Sequence, residues 1–150
     1  DSCEYWGCTD CESINYNEDA TNCTDGTLNT CCNYTDSWDG FLSLEDNQDG
    51  TYNILMQNNE DIGGFQIDIS GATILNASSG SATDAGFMIS SSSSTVLGFS
   101  ITGAIIPQSE VTSTLVVIEL DETTNLVEIV NAVMSDVNGN ALLFNFNECP

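Results

Sequence analysis

A chain of 150 residues that carries 23 Asp and Glu side chains and not one Lys, Arg or His cannot form a single side-chain salt bridge. Each native carboxylate must be hydrated, hydrogen-bonded or neutralised by a metal ion, and hard divalent cations are the natural counter-charge. The formal charge of -23 also repels phosphate backbones and anionic lipid surfaces, removing the counterion-release term behind most nucleic-acid affinity. No nucleic-acid partner is expected. Catalysis is constrained too: Ser-His-Asp and Cys-His arrangements need an imidazole, and Ser-Lys variants need an amine. Paired carboxylates could still cleave glycosides, but no pair stands out, and the chain reads as a non-enzyme.

Acidity on this scale often means disorder, yet hydrophobic residues make up 41% of the chain and fall in organised runs. The chain should fold. No apolar stretch approaches the roughly 20 residues of a membrane helix, there is no basic leader segment, and the first residue is Asp1. These features predict no membrane insertion and a processed chain that is secreted or displayed at the cell surface. Cysteine usage points to the same oxidising compartment: Cys3, Cys8, Cys11, Cys23, Cys31 and Cys32 crowd the N-terminal region, and Cys149 stands beside the C-terminus. Disulfides are favoured over zinc, because Cys8 and Cys11 form the only C-x-x-C and no His is present. The pairing stays open. The odd count leaves one thiol free or joined to another molecule, and the neighbours Cys31 and Cys32 would bond to each other only under strain.

The pattern changes once along the chain. Residues 1–36 are polar and rich in Cys, Asn, Asp and Thr, so a small disulfide-rich knot must stand in there for a hydrophobic core. Residues 37–150 show short runs of period two bounded by Gly, Asn, Asp and Ser, with scarcely any amphipathic helix, which predicts an all-β domain. Leu42 and Leu44 share one face, as do Tyr52, Ile54 and Met56, and Phe65, Ile67 and Ile69 alternate with polar neighbours. Farther on, Leu97, Phe99 and Ile101 read as one dry face, "STLVVIEL" as an apolar strand, and Leu142, Phe144 and Phe146 as the closing strand. Asp49-Gly50 and Asn138-Gly139 carry the residue types of tight two-residue hairpins. Pro107 suits a strand end. Roughly eight strands at short spacing favour an antiparallel two-sheet sandwich over an open sheet.

Two stretches resemble known families. "GCTDCESINYNEDAT" is similar to a short cysteine-containing repeat of secreted marine bacterial and large-virus proteins, matched at Gly7 to Asp10, Asn15, Tyr16, Ala20, Thr21, Asp25 and Gly26. Cys11 stands where that pattern usually has Pro, Ile14 where it often has Cys, and the gap from Gly26 to Cys31 is longer. The repeat brings no defined chemistry. "DGTYNILMQNNEDIGGFQIDISGATILNAS", then "TVLGFSITGAIIP" and "MSDVNGNAL", resembles the cohesin-type β-sandwich of secreted surface proteins, which implies a cohesin-like fold over most of residues 41–147. Cohesins proper bind dockerins, but no dockerin-binding surface carries over residue by residue.

Calcium is the one serious cofactor expectation. Glu45, Asn47 and Asp49 precede Gly50 at the spacing of the first half of an EF-hand loop, although Met56 stands where the closing Glu belongs. An acidic hairpin would use the same residue types. Glu18, Asp19 and Asp25 could form a second cation site in the knot. Glycan acceptor sequons begin at Asn22, Asn33 and Asn76, a number that chance nearly supplies in a chain this rich in Asn, Ser and Thr. The run Ser90 to Ser94 reads as a hydroxyl-rich loop or exposed strand, or as a site for O-linked sugar or another chain. Trp6, Trp38, Tyr5 and Tyr52 read as packing residues before they read as a sugar-stacking platform.

The leading expectation is a secreted structural protein, the self-associating subunit of an extracellular filament or surface assembly, glycosylated and calcium-stabilised. The odd cysteine and open sandwich edges suit such joining. A carbohydrate-binding or dockerin-like-partner-binding module of a larger secreted protein is the alternative, and a small hydrolase comes third.

Overall fold

The computed structural model describes residues 38–121 and 126–146; every cysteine, with the candidate ligands Glu18, Asp19 and Asp25 and the sequons at Asn22 and Asn33, lies outside them. Asp39–Phe146 form one compact unit. In chain order its elements are β1 (Gly40–Asp46), β2 (Thr51–Asn58), β3 (Gly64–Ser70), β4 (Ile74–Ser78), the single-turn α1 (Gly80–Asp84) and β5 (Met88–Ser91). They continue as β6 (Thr95–Phe99), β7 (Ser109–Leu120), β8 (Glu128–Ser135), β9 (Ala141–Leu142) and β10 (Phe144–Asn145). Two five-stranded sheets result, ordered β10-β1-β2-β7-β4 and β5-β6-β3-β8-β9. Among the described residues no helix is long and apolar enough to cross a membrane.

Period two builds the core. Leu42 pairs with Met56 and Leu44 with Ile54 across β1 and β2, so the alternate apolar residues of both strands meet on one inner face. From the opposite sheet Phe65, Ile67 and Ile69 project inward, each at most 3% exposed. Strand β7 is buried at Val116, Ile118 and Leu120, and a register shift between Ile54 and Leu55 of its partner turns the adjacent Leu115 inward as well. Where the rings of Phe65 and Phe87 stack, their centroids are 6.2 Å apart, a geometry worth about 1 kcal/mol beyond the area buried.

Three sequence expectations are corrected. Strand β6 sits in the opposite phase: Val96 and Gly98 face the core, while Leu97 and Ile101 are exposed. The reason is the Phe65 ring, which lies against Gly98, its cross-strand partner, where a Cβ would collide with it. Space for an aromatic ring outweighed the larger side chains at 97, 99 and 101. The closing run is also divided, because Leu142 belongs to β9 in one sheet and Phe144 to β10 in the other, with Leu143 between them. Strand β10 runs parallel to β1, the one parallel pair among the described strands, and is anchored where the Leu143 N–H donates to Asp39 Oδ2 at 2.7 Å. Neither hairpin, finally, has a two-residue turn. Asn47–Gly50 form a four-residue loop with positive φ at Gln48 and Gly50, and the β8–β9 connection runs from Asp136 to Asn140.

Candidate functional site

Neutral donors satisfy several of the carboxylates that the sequence leaves without cations. Asp49 Oδ1 accepts from the N–H and the hydroxyl of Thr51 at 3.0 and 2.6 Å. The Asn53 amide donates to Glu45 Oε1 at 2.9 Å and to Asn47 Oδ1 at 3.2 Å, and Asn47 donates in turn to Thr51 Oγ1 and Asn53 Oδ1. Thus Glu45, Asn47 and Asp49, the residues with partial EF-hand spacing, come together on one hairpin, where their oxygens serve β1, β2 and the loop between them. Among the described residues no three acidic or thiol side chains gather as a metal-ligand set.

Asp136 organises the other hairpin, a role the sequence reading missed. One of its oxygens accepts from the N–H groups of Asn138 and Asn140, both at 2.9 Å, and the other from the Asn140 amide at 3.2 Å. These bonds, the Asn140 N–H foremost, hold its pKa below the ordinary 3.8, as the Thr51 hydroxyl does for Asp49. A carboxylate depressed in the folded state contributes stability that is present above its unfolded pKa and is lost as pH falls through the folded value. The double variant Asp49→Asn, Asp136→Asn should therefore show a shallower fall of melting temperature below about pH 4 than the parent chain. Equal acid slopes for the two proteins would refute this assignment.

The outer face of the β5-β6-β3-β8-β9 sheet is the strongest candidate for recognition. Cross-strand register assembles it in rows. Gln66 lies between Leu97 of β6 and Val133 of β8, Ser90 of β5 extends that row, and the next row holds Met88, Phe99, Gly64 and Ser135. Met88, Leu97 and Val133 are 50%, 39% and 52% exposed, and Phe99 is half-buried. Four strands at about 4.8 Å spacing place these side chains across roughly 14 Å of a rigid surface. Two residues along β3 from Gln66, the half-buried Asp68 accepts from the Thr95 hydroxyl at 2.7 Å and the Asn131 amide at 3.2 Å. Beyond it, at the end of the sheet, Ser70 pairs with the exposed Glu128. The face therefore runs from apolar to acidic.

The remaining expectations fall elsewhere. Asn76 and Ser78 of the third sequon are exposed on the edge strand β4. Ser90 and Ser91 end β5, and Ser92 to Ser94 form the exposed turn into β6, whose carbonyls accept from Ile69 and Ile74 in different sheets. Tyr52 is half-buried and packs on the core. Pro107 follows the Ile62–Ile106 bridge, just before β7.

No family model and no curated protein sequence matches the chain. Among solved structures, a non-cellulosomal cohesin from the hyperthermophilic archaeon Archaeoglobus fulgidus is 11% identical, with a TM-score of 0.47 over 70% of this chain and 83% of that one. A structure of the CaDoc0917–CaCohA2 complex is 15% identical, with a TM-score of 0.49 over 70% of this chain and 92% of the other. The Coh-OlpC–Doc435 complex, a type I cohesin–dockerin complex from Clostridium thermocellum, gives 10% identity and a TM-score of 0.50 over 74% and 90% of the two chains. The fold is thus an all-β, cohesin-like two-sheet sandwich, as the sequence resemblance implied; at this identity the likeness speaks for fold alone.

Proposed function

We propose that this domain is a non-catalytic protein-binding module of a secreted or surface-displayed protein, and that the outer face of the β5-β6-β3-β8-β9 sheet is where its partner docks. The observation that carries the reading is the group of exposed apolar side chains Met88, Leu97 and Val133, gathered on one sheet face around Gln66. Such a patch on a rigid scaffold supplies the apolar centre of an interface, with Ser90, Thr95 and Asn131 as polar surroundings. The cohesin-like fold favours this reading over the filament subunit that the cysteine count suggested, since one of the structurally similar proteins is seen in a cohesin–dockerin complex. The absence of any imidazole or amine side chain argues in the same direction against catalysis.

Calorimetric titration against a panel of purified dockerin modules tests the proposal. At least one should bind with one-to-one stoichiometry, and Leu97→Asp combined with Val133→Asp should weaken that binding by about a hundredfold or more while the melting temperature stays close to the parent value. Undiminished binding by the double variant would remove the face from consideration. Failure of the whole panel would leave the module without its expected class of partner.

A further inference from the structure

Given that docking face, we propose that the partner it fits is a cationic protein surface: an apolar ridge covering Met88, Leu97, Phe99 and Val133, flanked by Lys or Arg side chains that meet Asp68 and Glu128. The register puts Asp68 two residues from Gln66 along β3, about 7 Å from the centre of the apolar row, so a partner of ordinary footprint covers both. Both hydrogen bonds to the Asp68 carboxylate come from neutral groups, the Thr95 hydroxyl and the Asn131 amide, and leave its charge uncompensated. Covering an ionised carboxylate with an uncharged apolar surface strips its remaining water and costs several kcal/mol. This chain has no side-chain cation to offset that cost, and a basic group carried by the partner offsets it directly. A second copy of this face is a poor occupant for the same reason, because an isologous contact would bring carboxylates against carboxylates with no basic group on either side. The surrounding field of a chain carrying -23 further speeds the approach of a basic partner and slows that of an acidic one.

Three synthetic amphipathic helical peptides test the inference directly, sharing one Leu ridge and differing only in flanking residues, which are Lys and Arg, Gln, or Glu. Fluorescence anisotropy with the intact protein should rank them basic, then neutral, then acidic, with the basic peptide at least about tenfold tighter than the neutral one at low salt. Raising the salt to a Debye length of about 3 Å should erase most of that advantage. Asp68→Asn with Glu128→Gln should remove it as well. Glu45→Gln with Glu119→Gln, an equal change of charge on the other sheet, should largely preserve it. Equal losses in the two double variants would assign the attraction to overall charge and overturn the proposal, as would no binding of the basic peptide or a neutral peptide that binds as tightly. The outcomes also separate the two claims. If Leu97→Asp weakens all three peptides but the charge variants change nothing, the docking face stands and its cationic partner falls; if Leu97→Asp changes nothing, the face itself falls.

Discussion

Gly98→Val is expected to destabilise the domain by about 3 kcal/mol, although strand propensity on its own favours valine over glycine by up to about 1 kcal/mol. The opposing effect is steric. Gly98 faces the core on β6 opposite Phe65 of β3, and a Cβ there would run into the Phe65 ring. That ring is 3% exposed and stacked on Phe87, so it has no free volume into which to turn. Urea unfolding should show the midpoint fall with an unchanged slope, marking a loss of stability rather than a change in the unfolded chain. A double-mutant cycle makes the cause specific. Phe65→Ala alone should cost about 3 to 5 kcal/mol through the cavity it leaves, whereas in Phe65→Ala, Gly98→Val the new side chain occupies part of that cavity. The two costs should fall short of additivity by at least about 1 kcal/mol. Strict additivity, or a stabilising Gly98→Val, would mean that the ring does not set the phase of β6.

Asn58→Leu is the second large effect, expected to cost about 2 to 4 kcal/mol despite a nearly isosteric and more apolar side chain. Asn58 is 2% exposed at the end of β2, and its amide donates to the carbonyl oxygens of Glu60 at 2.9 Å and Pro107 at 3.0 Å. Those bonds tie the β2–β3 connection to the segment entering β7, beside the Ile62–Ile106 bridge. Leucine would leave the carbonyls of Glu60 and Pro107 without the donor that ties them to β2, and the penalty falls on the groups left behind. Thermal unfolding and amide exchange at Ile62 and Ile106 should both register the loss. If protection there is retained and the melting temperature moves by less than a degree or two, the amide is not the tie described.

Much of the architecture was legible from residue alternation. Leu42 with Leu44, Tyr52 with Ile54 and Met56, and Phe65 with Ile67 and Ile69 face the core as period two required, because one wet and one dry side leave a strand only one satisfactory orientation. Alternation failed where both sides of a strand carry apolar residues. At β6 the candidate faces were Val96 with Gly98 and Leu97 with Phe99, and nothing local reveals that Phe65 needs the space above a glycine. It failed again at Leu142 and Phe144, since a two-residue spacing looks the same whether a strand continues in one sheet or crosses to the other. The proposed docking face was legible only at Ser90, which the sequence offers as exposed surface. Met88 and Leu97 sit nine residues apart on β5 and β6, but Val133 joins them only through the pairing of β6 with β3 and β3 with β8, and alternation alone places Leu97 in the interior.

Composition sets the chemistry: with anions as its only charged side chains, this chain must keep its carboxylates hydrated, hydrogen-bonded or metal-bound, and amides, hydroxyls and backbone N–H groups serve Asp39, Asp49, Asp68 and Asp136. Placement came from packing: which of two apolar sets on β6 points inward, and which leftover apolar side chains share a face with Asp68. Hydrogen-bonding capacity belongs to each residue wherever it sits, whereas burial and adjacency depend on partners contributed by distant strands, and those partners are chosen only when the sheets pair and pack.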